Sequence, residues 1–156
     1  MLNQTAEYAL RTAVLLAERQ RAGSVPAIEL AAALHIPANY LSKILHQLAK
    51  VGVLSSQRGR TGGFQLARDA GKISLAEVVR PFDEVGARRS CLLGRPACSD
   101  RSPCEAHGMW KDVSARVSSF FHETTLAAMV DASGPRRRRL RSRRAARATS
   151  QRATTR

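Results

Sequence analysis

The chain is short of several things, and each shortage removes a class of function. No apolar run approaches membrane-spanning length, so no transmembrane helix is expected. The start, Met1-Leu2-Asn3-Gln4, lacks the basic region and apolar core of a secretory signal, which points to a reduced, cytoplasmic protein. Paired carboxylates, a nucleophile elbow and a phosphate-binding loop are all missing, and with them the usual marks of an enzyme. Cysteine is scarce. There are only three in 156 residues, an odd number that argues against a disulfide framework.

Acid is also scarce, and unevenly so. Twelve acidic residues face 26 basic ones, for a net charge of +14. Residues 135–156 hold ten of the arginines, among them Arg136 to Arg139, and no acid. Without this stretch the body is only mildly basic. A segment of Arg, Ala, Ser and Thr has almost nothing to bury, so residues 133–156 are expected to be a disordered tail that grips polyanions without reading sequence.

What cysteine there is lies close together. Cys91, Cys98 and Cys104, with His107, fall within seventeen residues, in a stretch rich in turn formers. Thiolates beside an imidazole suit iron-sulfur clusters or zinc. The gaps of six and five residues lack the close Cys-x2-Cys pairs of a structural zinc knuckle, which favours the cluster. Unconnected thiols are the plain alternative, although free cysteines usually sit on apolar faces rather than in a polar loop.

Upstream, apolar periodicity predicts a helix from about Thr5 to Arg21, with Tyr8, Leu10, Ala13, Val14, Leu16 and Ala17 on its stripe and Gly23 past its end. A second, short helix starts near Pro26, uses Ile28, Leu30, Ala31 and Leu34, and stops at His35-Ile36-Pro37. A third runs from about Ala38 to Val51 and buries Leu41, Ile44, Leu45 and Leu48. Together the second and third read as a helix-turn-helix. Val53 to Gln57 and Phe64 to Leu66 then read as two strands around a glycine-rich basic tip, a β wing.

Helix-turn-helix plus a basic hairpin points to double-stranded DNA. The exposed face of the third helix offers Asn39, Tyr40, Ser42, Lys43 and His46 to the major groove. Arg58 and Arg60 at the wing tip suit a narrow minor groove, with Arg58 the preferred contact. Ser74-Leu75-Ala76-Glu77 forms a capping box that opens a fourth helix, running to about Asp83. After Cys104 a helical pattern extends to about Asp131, with Trp110, Val113, Val117, Phe120 and Thr124 on a heptad seam. So long a stripe on so small a body is expected to pack against a second copy, and the homodimer would meet two half-sites of a pseudo-palindromic operator.

These residues resemble a known family. The run Ile36-Pro37-Ala38-Asn39-Tyr40-Leu41 through Leu45, then Leu48, Val51-Gly52, Leu54-Ser55-Ser56, Arg58-Gly59 and Gly62-Gly63, is similar to the winged-helix regulators typified by IscR and NsrR. Cys104-Glu105-Ala106-His107-Gly108-Met109-Trp110 resembles their Cys-x-x-His-x-x-Trp lead-in to the dimer helix. The likeness spans nearly all of residues 1–132.

It implies a mainly α fold with a small β wing, divided into a winged helix-turn-helix at 1–86, a cysteine-rich loop at 87–104, a dimerisation helix at 105–132 and the tail at 133–156. It further implies a homodimeric transcription regulator whose DNA affinity is controlled by a cluster, 2Fe-2S or 4Fe-4S, that senses nitric oxide, redox state or iron-sulfur status. Cys91, Cys98 and Cys104 match the family's cluster thiolates, and His107 matches the fourth ligand of the biogenesis branch. Glu7 of a partner subunit is the rival, since the nitric-oxide-sensing branch places a carboxylate there. Two features depart from the pattern. The first cysteine gap is six residues where five is common, and Ser42 stands where the biogenesis branch tends to carry glutamate. The competing regulator without a cluster, zinc-clipped or metal-free, would use cysteine redox chemistry instead.

Overall fold

The computed structural model describes residues 2–59, 62–83, 91–95 and 98–132. Arg60 of the wing tip and the arginine tail at 133–156 lie outside the described residues. The elements run α1 Gln4–Glu18, α2 Ala27–Leu34, α3 Ala38–Lys50, β1 Leu54–Gln57, β2 Gly63–Leu66, α4 Leu75–Val79 and α5 His107–Glu123.

The N-cap of α1 is Asn3, whose Oδ1 accepts the Ala6 N–H at 2.9 Å. The buried face of this helix is built from small residues, Ala6, Ala9, Thr12 and Ala13, with Leu16. Small side chains let α3 and α4 pack close beside it. Thr12 is buried without penalty because its Oγ1 donates to the Tyr8 carbonyl at 2.7 Å. The helix ends at Glu18, short of the expected Arg21. A 3-10 turn at Gln20–Ala22 and a left-handed Gly23, φ 82°, swing the chain back so that Val25 bridges Phe64 of β2.

His35 closes α2 in a left-handed conformation, φ 55°, while the Ile36 N–H reaches back to the Ala31 carbonyl at 3.0 Å. Arg11 of α1 donates to the Leu34 carbonyl at 2.9 Å, placing a cation on the negative end of α2. The turn between α2 and α3 is therefore fixed by backbone bonds and by α1. Leu30, Leu34, Leu41, Ile44, Leu45 and Leu48 fill the core between them. Ile28, expected among the core residues, is 75% exposed. At two positions before Leu30 it falls on the opposite side of the helix.

β1 and β2 pair antiparallel, with Leu54 opposite Leu66 and Ser56 opposite Phe64. Leu54, Phe64 and Leu66 turn inward. Gly63 has no room for a side chain, since a Cβ there would overlap the Val25 backbone. Gly59 at the tip carries φ 111°, a value that favours glycine.

The expected capping box at Ser74 is present. Ser74 Oγ accepts the Glu77 N–H at 3.3 Å, and Glu77 Oε2 accepts the Ser74 N–H at 2.9 Å. Burial raises the Glu77 carboxyl, but Arg68, at 2.7 Å, and the Ser74 N–H outweigh it and hold the group below its ordinary value.

The last helical stretch differs from the single long helix that the sequence suggests. Thr124 is extended and ends α5, Thr125 bridges Ser74, and helical turns resume at 126–132. Two backbone bonds make this seam, Leu75 N–H to Thr124 O and Leu126 N–H to Ile73 O, each 3.0 Å. Phe121 and Leu126 anchor either side of the break in the core. The heptad stripe is divided. Val117 leans on the same core, one turn before Phe121, whereas Val113 and Phe120 stand about half exposed and Met109 is mostly exposed.

Candidate DNA interface and cysteine loop

The presented face of α3 combines committed and uncommitted side chains. Tyr40 is committed. Its hydroxyl shares a hydrogen bond of 2.6 Å with Thr5 Oγ1, and its ring meets Tyr8 edge-on at 5.9 Å. It thus braces α3 against α1, a role the sequence reading missed. His46 lies edge-on to Phe64 of the wing, 5.6 Å between ring centres. Asn39 and Lys43 are exposed in the first two turns of α3, with Ser42 half-buried between them. Arg58, also exposed, follows β1 directly. The core thus leaves both the start of α3 and Arg58 beside the wing exposed on the molecule's surface.

At the other end of the chain the thiols stand as two pairs. Cys98 Sγ lies 3.3 Å from His107 Nδ1. The Cys104 side chain lies beside the Cys91 thiol. The backbone N–H groups of Arg95 and Leu93, with Cys104 beside it, hold the Cys91 thiol below its ordinary pKa. His107 opens α5, its N–H bonded to the Cys104 carbonyl at 3.0 Å, and its ring is buried at 8% exposure. The other ring nitrogen, Nε2, donates to Asp100 Oδ1 at 2.8 Å. Lys111 Nζ donates to the same oxygen at 2.8 Å, and these two bonds, the lysine's foremost, lower Asp100 to about 2.

The donors fit an iron-sulfur cluster in kind and number, three thiols and an imidazole whose far nitrogen is held by a carboxylate. Among the described residues, no three His, Cys, Asp or Glu side chains converge into a closed cage. Glu7 sits exposed in the first turn of α1. Asn3 ties that turn to the segment leading into the cysteine loop, through its N–H to Asp83 Oδ2 at 2.8 Å and its Nδ2 to the Phe82 carbonyl at 2.6 Å. Sequence reading missed Asp100 and Lys111. The available signal was the i, i+4 spacing of His107 and Lys111, which puts both on one helix face.

A three-helix core with a β wing beside a cysteine loop defines a winged-helix, DNA-binding transcription regulator. Residues 2–132 match the Rrf2 family of iron-dependent transcriptional regulators, and the chain belongs to that family. It is 32% identical over 130 residues to the HTH-type transcriptional regulator IscR of Citrobacter koseri, a match covering 83% of this chain and 79% of that protein. The IscR of Salmonella newport matches to the same extent. Among solved structures, CymR, the global cysteine regulator of B. subtilis, superposes with a TM-score of 0.72 at 20% identity, over 85% of this chain and 97% of that one. T. potens IscR gives 0.70 at 20% identity, over 86% and 89%. These likenesses place the chain among regulators rather than enzymes. Among the described residues, no helix is long and apolar enough to cross a membrane.

Proposed function

We propose that the protein is a homodimeric transcription regulator whose affinity for a pseudo-palindromic operator is set by an iron-sulfur cluster held by Cys91, Cys98 and Cys104, with His107 as fourth ligand. The observation that carries this reading is the approach of Cys98 Sγ to the buried His107 Nδ1 at the first turn of α5. A bound cluster supplies a centre sensitive to oxidants and nitric oxide. The chain's own residues do the rest. Cys104 and His107 are one turn apart and fasten the loop to the start of α5, so release of either loosens that turn. Val113 and Phe120 on the exposed side of α5 meet a second copy, which sets the spacing of the two wings. Asn39, Ser42 and Lys43 read base edges, and Arg58 enters the minor groove.

A second reading draws on the pairing of the thiols. Two pairs rather than one cage suit a cluster-free regulator in which Cys91 and Cys104 respond to redox state. Anaerobic purification with iron, sulfide and zinc analysis separates the two. Brown protein that loses visible absorption with nitric oxide, and loses it entirely in any single Cys→Ala variant, supports the cluster. Colourless protein whose operator affinity follows thiol oxidation supports the alternative, and stoichiometric zinc supports a structural clip. For the fourth ligand, His107→Ala should alter the cluster spectrum and Glu7→Ala should not; the reverse result transfers the role to the partner's carboxylate.

A further inference from the structure

Asp100 lies in the loop between Cys98 and Cys104, outside the ligand set, yet two donors converge on one of its oxygens. His107 Nε2 and Lys111 Nζ each stand 2.8 Å from Oδ1. The ring between Asp100 and Cys98 is buried, so its orientation is set by what its two nitrogens meet rather than by water. A carboxylate only accepts, so the nitrogen facing it carries the proton. In a neutral ring the other nitrogen is then a bare lone pair, and here that nitrogen is Nδ1, directed at Cys98 Sγ at 3.3 Å. Lys111 lies one turn beyond His107 on the same face of α5, so it steadies the carboxylate against the element that carries the ring.

We infer that Asp100 is a positioning residue which fixes His107 in the Nε2–H tautomer and so selects Nδ1 as the nitrogen offered beside Cys98. The consequence for cluster binding rests on the function proposed above; the tautomer does not. A deletion of Asp100 frees the ring to flip or to move its proton, and the nitrogen beside Cys98 is then no longer reliably a lone pair. Carboxylates that hold a ligating histidine in this way are worth about 10- to 100-fold in metal retention.

The test uses the full chain, metal-free and reduced, with 15N-labelled histidine at about pH 8, above the ordinary imidazole titration. Long-range 1H–15N correlation spectra read which ring nitrogen bears the proton. Wild type is expected to show His107 protonated at Nε2 alone. Asp100→Ala should lose that single pattern, and Asp100→Asn should keep it, because the amide oxygen still accepts. Lys111→Met, which leaves both partners of the hydrogen bond in place, should give a partial shift and serves where Asp100→Ala does not fold.

The same proteins are then reconstituted anaerobically with ferrous iron and sulfide. The visible absorption of Asp100→Ala should decay about 10-fold faster than that of wild type. A proton on Nδ1 in wild type, or a tautomer unchanged in both Asp100→Ala and Lys111→Met, overturns the positioning role. An altered tautomer with unchanged cluster lifetime overturns the selection of Nδ1 as the ligating nitrogen. If wild type takes up no iron, the cluster reading fails, and the tautomer spectra alone decide the role of Asp100.

Discussion

Two adjacent phenylalanines on α5 should behave oppositely when each is replaced by alanine. Phe121 is 3% exposed and packs in the core; Phe120, its edge-on neighbour at 5.5 Å, is 52% exposed. Phe121→Ala empties a core position and should cost about 3 to 5 kcal/mol of folding stability. Phe120→Ala removes only the half of that side chain which the single chain buries, so its cost in folding stability should be clearly smaller. The exposed half of its side chain is roughly 100 Å², about half of what a buried phenylalanine contributes. Covered by a second copy, that area is worth about 2.5 kcal/mol at about 25 cal/mol per Å². A symmetric pair doubles it to about 5 kcal/mol, so the dimer dissociation constant should rise by roughly a thousandfold or more.

Sedimentation velocity over a dilution series measures the dimer directly, and urea unfolding at several protein concentrations separates the two effects. Because dimerisation adds stability by mass action, the wild-type midpoint should rise with concentration. Phe121→Ala should keep that slope with a lower midpoint, and Phe120→Ala should lose the slope. Phe120→Ala protein that remains dimeric at wild-type dilution refutes the assignment of this face to the interface. An unshifted midpoint in Phe121→Ala refutes its role as the anchor of α5.

Four further outcomes are expected. Arg58→Ala should weaken specific operator binding by about 1 to 3 kcal/mol while leaving cluster absorption intact, and unchanged affinity in gel-shift titrations would take Arg58 off the DNA. Truncation after Gly134 should flatten the dependence of affinity on salt and preserve sequence discrimination, because the arginines removed would touch phosphates only; an unchanged slope would separate the tail from the duplex. Ser74→Ala should cost about 1 kcal/mol through loss of the cap. Glu77's pKa is lowered on folding, so its contribution is full above the unfolded value and fades as pH falls through the folded one. The stability gap between wild type and Glu77→Gln should accordingly narrow between about pH 7 and pH 3; a constant gap would discard the ion pair and cap as its source.

The helix-turn-helix was legible because its signals are local. Leu41, Ile44, Leu45 and Leu48 repeat at helical spacing, and all four are buried. Ser74 with Glu77 is a four-residue pattern, and it caps as read. The break at Thr124 was not legible, since nothing in the local periodicity ends there. It arises from a pairing with Ser74, fifty residues earlier, that no window along the chain contains. Tyr40 read as a groove contact because it lies on the outer face of α3, and only the tertiary approach of Thr5 reveals its other duty. Ile28 was misjudged for a simpler reason. In a helix of eight residues an apolar side chain on the wrong side barely disturbs the pattern.

At the cysteine loop the ligand types and their order were legible, and the arrangement was not. Spacing alone does not tell Cys98 from Cys91 as the neighbour of His107. Asp100 has nothing distinctive among polar loop residues until the fold brings it to the imidazole.

The seam between Ser74 and Thr125 makes α5 a lever. Its far end is pinned by two backbone bonds, and its near end carries the cysteine loop. Seventeen residues at 1.5 Å each give an arm of about 25 Å, so a tilt of only roughly 10° about the seam carries His107 through about 4 Å. The fulcrum sits beside Glu77, whose carboxylate grips Arg68 just past the root of the wing. Leverage of this kind trades distance for force. A tilt of α5 about the seam would therefore carry the His107 end much farther than the residues beside the hairpin.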